Sequence, residues 1–122
     1  MFIARHGHSV AAVDLSPSGI RDLQQDAKAE GLEITAEVAD ICEYKSRHRF
    51  DLILIDRTLH MLALEERESV LQKLLTLSKR GTHVLIADER SNILIFKSVQ
   101  NSTKWEWTIM LERHGFVFVQ RD

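Results

Sequence analysis

Cysteine and proline are almost missing from this chain of 122 residues, which has one of each. A single cysteine, Cys42, excludes an internal disulfide and is typical of proteins from a reducing compartment. No apolar run approaches the ~20 residues that a membrane-spanning helix needs. The first residues also lack the apolar stretch of a signal peptide. The sequence therefore predicts a cytoplasmic protein with no membrane partner.

An excess of one charge sign is missing as well. Sixteen Lys and Arg residues against 18 Asp and Glu residues give a net charge of −2, and the basic residues are scattered along the chain. Nucleic-acid binding depends on a basic face, so we expect no nucleic-acid partner. His6 and His8 flank Gly7, but no third ligand is recognisably placed to complete a metal site, and we expect no metal.

What the chain does have is an alternation of strand-like and helix-like segments. Its length and its 44% hydrophobic content predict one globular domain over residues 1–122. Apolar runs and period-two patterns predict strands, and apolar stripes at helical spacing predict helices. The predicted strands are 8–14, 32–38, 50–56, 82–88, 105–111 and 116–119. The predicted helices are 17–30, 64–80 and 93–99, with residues 1–6 counted as the end of an earlier helix and 40–49 as a loop.

Several local features support these boundaries. Ser16 is a good N-cap, Pro17 suits the first helical position, and Gly31 suits the C-terminal cap. The run 50–56 (FDLILID) is apolar on both faces, which predicts a central strand covered by helices on each side. The last two strands, joined by a turn at 112–115, predict a β-hairpin. The fold class is therefore α/β, a Rossmann-like, mostly parallel sheet flanked by helices with a C-terminal antiparallel hairpin.

The order of these motifs resembles that of class I S-adenosylmethionine (SAM) methyltransferases. The run 9–17 (SVAAVDLSP) is similar to the family's second strand, whose acidic residue accepts hydrogen bonds from ribose hydroxyls. The segment 39–41 (ADI) resembles the part that holds the adenine. The resemblance therefore implies SAM as the cofactor, with cofactor-binding residues at Asp14, Leu15, Ser16, Asp40 and Ile41. It places Asp40 at the exocyclic amine and Ile41 near the ring.

The resemblance also implies two candidate catalytic residues. The run 50–56 resembles the fourth strand, whose end faces the reacting methyl group, and the segment 74–88 resembles the fifth-strand region. Asp56 is placed to position the substrate or the sulfonium, and His60 is placed to act as a general base. Methyl transfer depends mainly on alignment, so no fixed catalytic set is required. The structural alternatives are a turn or helix-start aspartate at Asp14, a helix cap at Ser16, a plain loop aspartate at Asp40 and a surface or helix-entry histidine at His60.

One departure from the family pattern concerns the N-terminus. The family's first strand ends in a glycine-rich loop under the methionine part of SAM, and no two of the five glycines here are close enough to form it. We therefore expect a chain that is truncated at its N-terminus. The strand that it lacks would lie between the strands ending at Asp14 and Asp56, leaving two unpaired edges. These edges either pair directly or are covered by a second copy, and we expect a homodimer.

Three functional hypotheses follow. The first is a SAM-dependent methyltransferase that acts on a small molecule through a reduced pocket, with inactivity as the consequence if the missing glycine-rich loop is essential. The second is a non-catalytic, self-associating methyltransferase-like module. The third is a nicotinamide-binding domain, which Asp14 also fits, but the missing glycine fingerprint and the C-terminal hairpin count against it.

Overall fold

A computed structural model describes residues 2–122, and the chain divides into two compact units, Met1–Lys45 and Ser46–Asp122. The single domain expected over residues 1–122 stays a prediction. The expected helix end at residues 1–6 is found as α1, Phe2–Arg5, and Met1 lies outside the described residues. None of the helices in residues 2–122 has both the length and the apolar character that crossing a membrane requires.

The first unit continues with β1 (Val10–Asp14), α2 (Pro17–Glu30) and β2 (Ile34–Val38). The strands β1 and β2 pair in parallel, from Val10 opposite Ile34 to Asp14 opposite Val38. The caps of α2 are those expected: the Ser16 hydroxyl accepts a hydrogen bond from the Gly19 amide, and Gly31 is left-handed at φ 67°. β2 starts two residues later than predicted because the Leu32 amide donates back to the Ala27 carbonyl and completes the helix cap.

The second unit contains one sheet in the order β3-β4-β6-β5. Its elements are β3 (Phe50–Asp56), a short 3₁₀ turn (Leu59–Met61), α3 (Leu64–Leu75), β4 (Ser78–Ala87), α4 (Arg90–Ser102), β5 (Trp107–Arg113) and β6 (Phe116–Arg121). β3 and β4 are parallel, whereas β6 is antiparallel to both of its neighbours. The predicted C-terminal hairpin is therefore confirmed.

The core of the second unit lies between one face of its sheet and the helices α3 and α4. Buried residues alternate with more exposed ones in β3, β4 and β6 but not in β5, and the helices contribute large side chains that are 2% exposed or less. The buried strand residues are Ile53, Ile55, Val84, Ile86, Val117 and Val119, and the buried helix residues include Val70, Leu71, Leu75, Phe96 and Val99. This alternation fixes which strand residues face the helices.

The helix predicted over 64–80 is wrong in its C-terminal part. α3 ends at Leu75, and the chain resumes as β4 at Ser78, which pairs with Phe50. The Ser78 hydroxyl donates to the Leu75 carbonyl at 2.6 Å, so it satisfies one of the carbonyls at the end of the helix. The apolar pattern predicted too long a helix because Leu77 is buried, as a core-facing helical residue would be, although it lies in the link to β4. The predicted helix 93–99 is longer than expected at both ends.

The expectation that β3 is covered on both faces is also wrong. Within residues 2–122, β3 pairs only with β4, and β1 pairs only with β2. Leu52 and Leu54 are 38% and 51% exposed, on the face of β3 opposite to Ile53 and Ile55. The run of apolar residues indicated a central strand, but in the sheet of the second unit β3 is an edge strand.

Candidate functional site

The carboxyl ends of β1 and β2 bring the five predicted cofactor residues to one edge of the first unit. Asp14 is the last residue of β1 and lies opposite Val38, the last residue of β2. The Ala39 amide donates to the Asp14 carbonyl at 3.0 Å, which extends the pairing one residue further. Asp40 follows directly, so both carboxylates belong to turns that leave the same edge of the two-stranded sheet.

Asp14 has a carboxylate that its own turn uses only in part. Its Oδ1 accepts a hydrogen bond from the Ser16 amide at 3.1 Å, which orients the side chain, and the residue is exposed. A Cβ at Gly19 would lie 3.8 Å from Oδ2 and 3.3 Å from the Ser16 hydroxyl oxygen. Because the turn does not use Oδ2, that oxygen is available to accept hydrogen bonds from a ligand.

Asp40 repeats this arrangement after β2. Its Oδ1 accepts a hydrogen bond from the Cys42 amide at 2.9 Å, and both Asp40 and Ile41 are half-buried. Leu15, in contrast, is 64% exposed, and the Ser16 hydroxyl caps α2 through the Gly19 amide at 3.1 Å. Ser16 therefore acts as a helix cap here, while ligand contacts at the five positions stay predictions.

The carboxyl ends of β3 and β4 form the corresponding edge of the second unit. Asp56 ends β3 opposite Ala87 of β4 and is exposed. Arg57 follows with φ 53°, a left-handed conformation that is uncommon for a residue with a side chain. The Arg57 amide donates to the Ala87 carbonyl at 2.7 Å, which holds this sharp turn against β4. The turn leads into the 3₁₀ segment that carries His60.

Sequence reasoning missed the acid at the end of β4. Asp88 is only 6% exposed, and its carboxylate accepts hydrogen bonds from the Leu59 amide at 3.0 Å, the Glu89 amide at 2.7 Å and the Asn92 side chain at 2.8 Å. His60 Nδ1 lies 3.9 Å from Asp88 Oδ1. Asp88 therefore fixes the turn in which His60 lies. The sequence signal is a strand-ending acid followed four residues later by an asparagine.

The charge of Asp88 is stabilised although the group is buried. Burial by itself raises the pKa of this carboxyl, but hydrogen bonds from Asn92 and from the amides of Glu89, Leu59 and His60 outweigh it, so the pKa lies below its usual range. Arg67 extends the network, because its guanidinium donates to the Asn92 side-chain oxygen at 2.9 Å and to the Leu62 carbonyl at 3.1 Å. Asp88 is a buried anion with its acceptor sites occupied by the chain.

The predicted site residues thus fall into two groups, one in each unit. The first group contains Asp14, Leu15, Ser16, Asp40 and Ile41. The second contains Asp56 and His60, and Asp88 Oδ1 lies 3.9 Å from His60 Nδ1. Among the described residues 2–122, no group of three or more His, Cys, Asp or Glu side chains is arranged to hold a metal ion.

Comparisons with known proteins identify one family, through a family model, and one fold, through solved structures. The family model described as a methyltransferase domain matches residues 1–81. A solved S-adenosylmethionine-dependent methyltransferase from Clostridium acetobutylicum superposes with a TM-score of 0.76 at 11% identity, covering 97% of this chain and 77% of that one.

Two further similar structures contain bound SAH or SAM. The N-methyltransferase NodS from Bradyrhizobium japonicum, in complex with S-adenosyl-L-homocysteine (SAH), has a TM-score of 0.71 at 14% identity, with 93% of this chain and 66% of that chain covered. Magnesium protoporphyrin IX methyltransferase from Synechocystis, with bound SAM, has a TM-score of 0.73 at 17% identity, with 98% and 62% covered. These similarities establish the Rossmann-like fold, and the chain spans about two thirds of both structures.

Proposed function

We propose that this chain, which belongs to the methyltransferase domain family, is a SAM-dependent enzyme that methylates a small molecule. The observation that carries the proposal is the pair of carboxylates after β1 and β2. Asp14 and Asp40 each accept one hydrogen bond from an amide of their own turn, at 3.1 and 2.9 Å. Each carboxylate is thereby oriented and keeps an oxygen for a ligand at the edge where open α/β sheets bind nucleotides.

The residues present fit the adenosine end of SAM better than its methionine end. Asp14 would accept hydrogen bonds from the ribose hydroxyls, Asp40 from the amine of the adenine, and Ile41 would contact the ring. The described residues offer no glycine-rich loop for the methionine end, since their glycines are dispersed at positions 7, 19, 31, 81 and 115. We therefore expect binding through the adenosine end, in the micromolar range rather than tighter.

The second group of residues would act on the acceptor. Bound SAM supplies an activated methyl group, and the reaction needs the acceptor to be aligned with it. Asp56 is exposed at the end of β3 and would position the acceptor, while His60 would take the proton that the acceptor loses. Asp88 would be a positioning residue, because it holds the Leu59 amide and lies 3.9 Å from His60 Nδ1.

Calorimetric titration of the chain with SAM and SAH tests the proposal. We expect micromolar binding of both, weakened about tenfold or more by Asp14→Asn, because a hydrogen bond to a charged group contributes about 1.5–3 kcal/mol. Asp22→Asn is the matched control, since it removes the same charge from an exposed position on α2. A well-folded chain that binds neither compound, or an Asp22→Asn variant as weak as Asp14→Asn, would contradict the proposal.

A second candidate function, a non-catalytic module that self-associates, is favoured by the free edge of β3. An antiparallel β3–β3 pair centred on Ile53 would place Leu52 of each copy opposite Leu54 of the other. These leucines lie on the exposed face of the sheet, at 38% and 51% exposure. In this pairing Asp51 lies opposite Ile55 and Asp56 opposite Phe50, so no two aspartates lie directly opposite each other. Within residues 2–122, β3 pairs with no strand except β4.

Light scattering distinguishes this candidate. We expect the mass of two chains, and the mass of one chain for Leu54→Lys. Leu64→Lys is the control, because Leu64 is 67% exposed on α3 and lies outside the strand edge. A single-chain mass for the unchanged protein would rule out self-association.

A cytoplasmic location belongs to the same proposal and rests on the near absence of cysteine. Cell fractionation with an antibody against the chain tests it. Recovery in a membrane or extracellular fraction would contradict it.

A further inference from the structure

A groove in the second unit lies between α4 and the turn of the C-terminal hairpin. Its volume is about 460 Å³. One wall is a single face of α4, formed by Arg90, Ile93, Leu94 and Lys97. This spacing of three, four and seven residues places all four side chains on one side of the helix. Ile93 is buried and Leu94 is 58% exposed, so the wall offers apolar surface between two cations.

The other wall is the end of β5 and the hairpin turn. It contributes Glu112, Arg113 and His114, and both Arg113 and His114 are exposed. Two contacts hold the walls together. The Asp88 amide donates to the Gly115 carbonyl at 3.0 Å, and Lys97 Nζ lies 2.6 Å from Glu112 Oε1. A groove fixed by two such contacts is formed before a ligand arrives, which lowers the entropy cost of binding.

The charge of the groove is unbalanced. Its lining contains three permanently charged cations and one acid, and Lys97 and Glu112 compensate each other as an ion pair. Arg90 and Arg113 have no acidic partner among the described residues. Arg113 donates only to the Glu112 backbone carbonyl, at 2.8 Å. A planar guanidinium with unused donors suits a carboxylate or a phosphate group.

Asp88 connects this groove to the candidate catalytic group. Its carboxylate holds the turn that carries His60, while its backbone amide holds the hairpin turn that forms one wall of the groove. The groove and His60 are therefore supported by the same residue at the carboxyl end of β4.

We infer that this groove binds the anionic end of the methyl acceptor, a small molecule with a carboxylate or phosphate group on an apolar body. Arg90 and Arg113 take the anion, and Leu94 contacts the apolar body. The identification of this ligand as the acceptor rests on the proposed methyltransferase function, whereas the binding of such anions by the groove does not.

Benzoate and phenyl phosphate are suitable probes, with benzyl alcohol as the uncharged control. Each is titrated into the ¹⁵N-labelled chain, and amide shifts are followed by NMR. We expect saturable shifts in residues 90–97 and 112–115 with at least one anion, and the tighter of the two identifies the preferred group. Arg90→Gln and Arg113→Gln weaken that binding about tenfold, as expected for losing one charge-assisted hydrogen bond. Arg21→Gln, an exposed change on α2, leaves it unchanged.

The inference is overturned if neither anion gives saturable shifts in the groove, if benzyl alcohol binds as tightly as the anions, or if Arg21→Gln weakens binding equally. A parallel titration with SAM separates this inference from the proposed function. Anion binding without SAM binding overturns the methyltransferase proposal and supports an anion groove. SAM binding without anion binding overturns the groove and supports the enzyme.

Discussion

Two acidic residues that follow or end strands, Asp14 in the first unit and Asp88 in the second, are held in opposite ways. After β1, Asp14 is exposed and accepts one amide of its own turn at 3.1 Å. After β4, Asp88 is 6% exposed and accepts hydrogen bonds from Leu59, Glu89 and Asn92. An ionised carboxylate offers about four acceptor sites. The chain donates to both oxygens of Asp88 but to only one oxygen of Asp14, so Asp88 suits a supporting role and Asp14 suits ligand binding.

The cores of the two units differ as well. Among the described residues of the first unit, the buried apolar side chains are Ala4, Ile20 and Ala27, whereas the second unit has a larger set drawn from two helices and three strands. Burial of apolar surface provides most of the stabilisation of a fold. We therefore expect the second unit to be the more stable of the two and the first to depend more on local features such as helix caps.

The largest loss in the free energy of unfolding is expected for a substitution in the core of the second unit. Phe96 is 0% exposed on α4, and Phe96→Ala should lower the free energy of unfolding by about 3–5 kcal/mol, through lost burial and the cavity that remains. Urea unfolding measures this. Leu94→Ala, on the same helix but 58% exposed, is the control and should cost less than about 1 kcal/mol. Equal losses would show that the core assignment of α4 is wrong.

A smaller loss in the free energy of unfolding is expected for Asp88→Asn. This change keeps the shape of the side chain but replaces one acceptor oxygen by an NH₂ group that faces amide donors. We expect a loss of about 2 kcal/mol near neutral pH. Because the folded pKa of Asp88 is depressed, its stabilisation is present above the unfolded value of 3.8 and is lost as pH falls through the folded pKa. The urea midpoints of the unchanged chain and of Asp88→Asn should therefore differ at neutral pH and become nearly equal at about pH 2.

Asp56→Asn is the control for this comparison, since it changes an exposed acid at the neighbouring strand end. It should leave the free energy of unfolding within about 0.5 kcal/mol of the unchanged chain. If Asp56→Asn destabilises as much as Asp88→Asn, the contrast between supporting and available carboxylates fails.

Local chemistry explains which parts of this fold the sequence could predict. Ser16, Pro17 and Gly31 have strong positional preferences, and the bounds that they predicted for α2 are those found. The period-two pattern after residue 104 predicted the hairpin for the same reason, because alternation is a property of the strand itself. The carboxyl ends of β1 and β3 followed from these elements, which is why Asp14 and Asp56 were placed at strand ends.

Features that depend on distant partners were not predictable in this way. The apolar run of β3 indicates burial on both faces, yet whether Leu54 is covered depends on what packs there rather than on its neighbours in sequence. Leu77 continues the helical stripe but lies outside α3, because Ser78 pairs with Phe50 across the sheet. Asp88 was missed because the Leu59 amide that it accepts lies 29 residues away in the chain, and its only side-chain partner with a local spacing is Asn92, four residues later.

The smallest loss of stability is expected for a change at Ser16, which tests whether helix capping stabilises the first unit. With few buried side chains to hold α2, the hydrogen bond from the Gly19 amide to the Ser16 hydroxyl, at 3.1 Å, should matter for local stability. Ser16→Ala should cost about 1 kcal/mol, seen as roughly fivefold faster hydrogen exchange of the α2 amides. Ser16→Asp keeps an N-cap acceptor and should restore the protection. If Ser16→Ala leaves exchange unchanged, packing rather than capping holds α2, and Ser16 regains its place among the candidate ligand contacts.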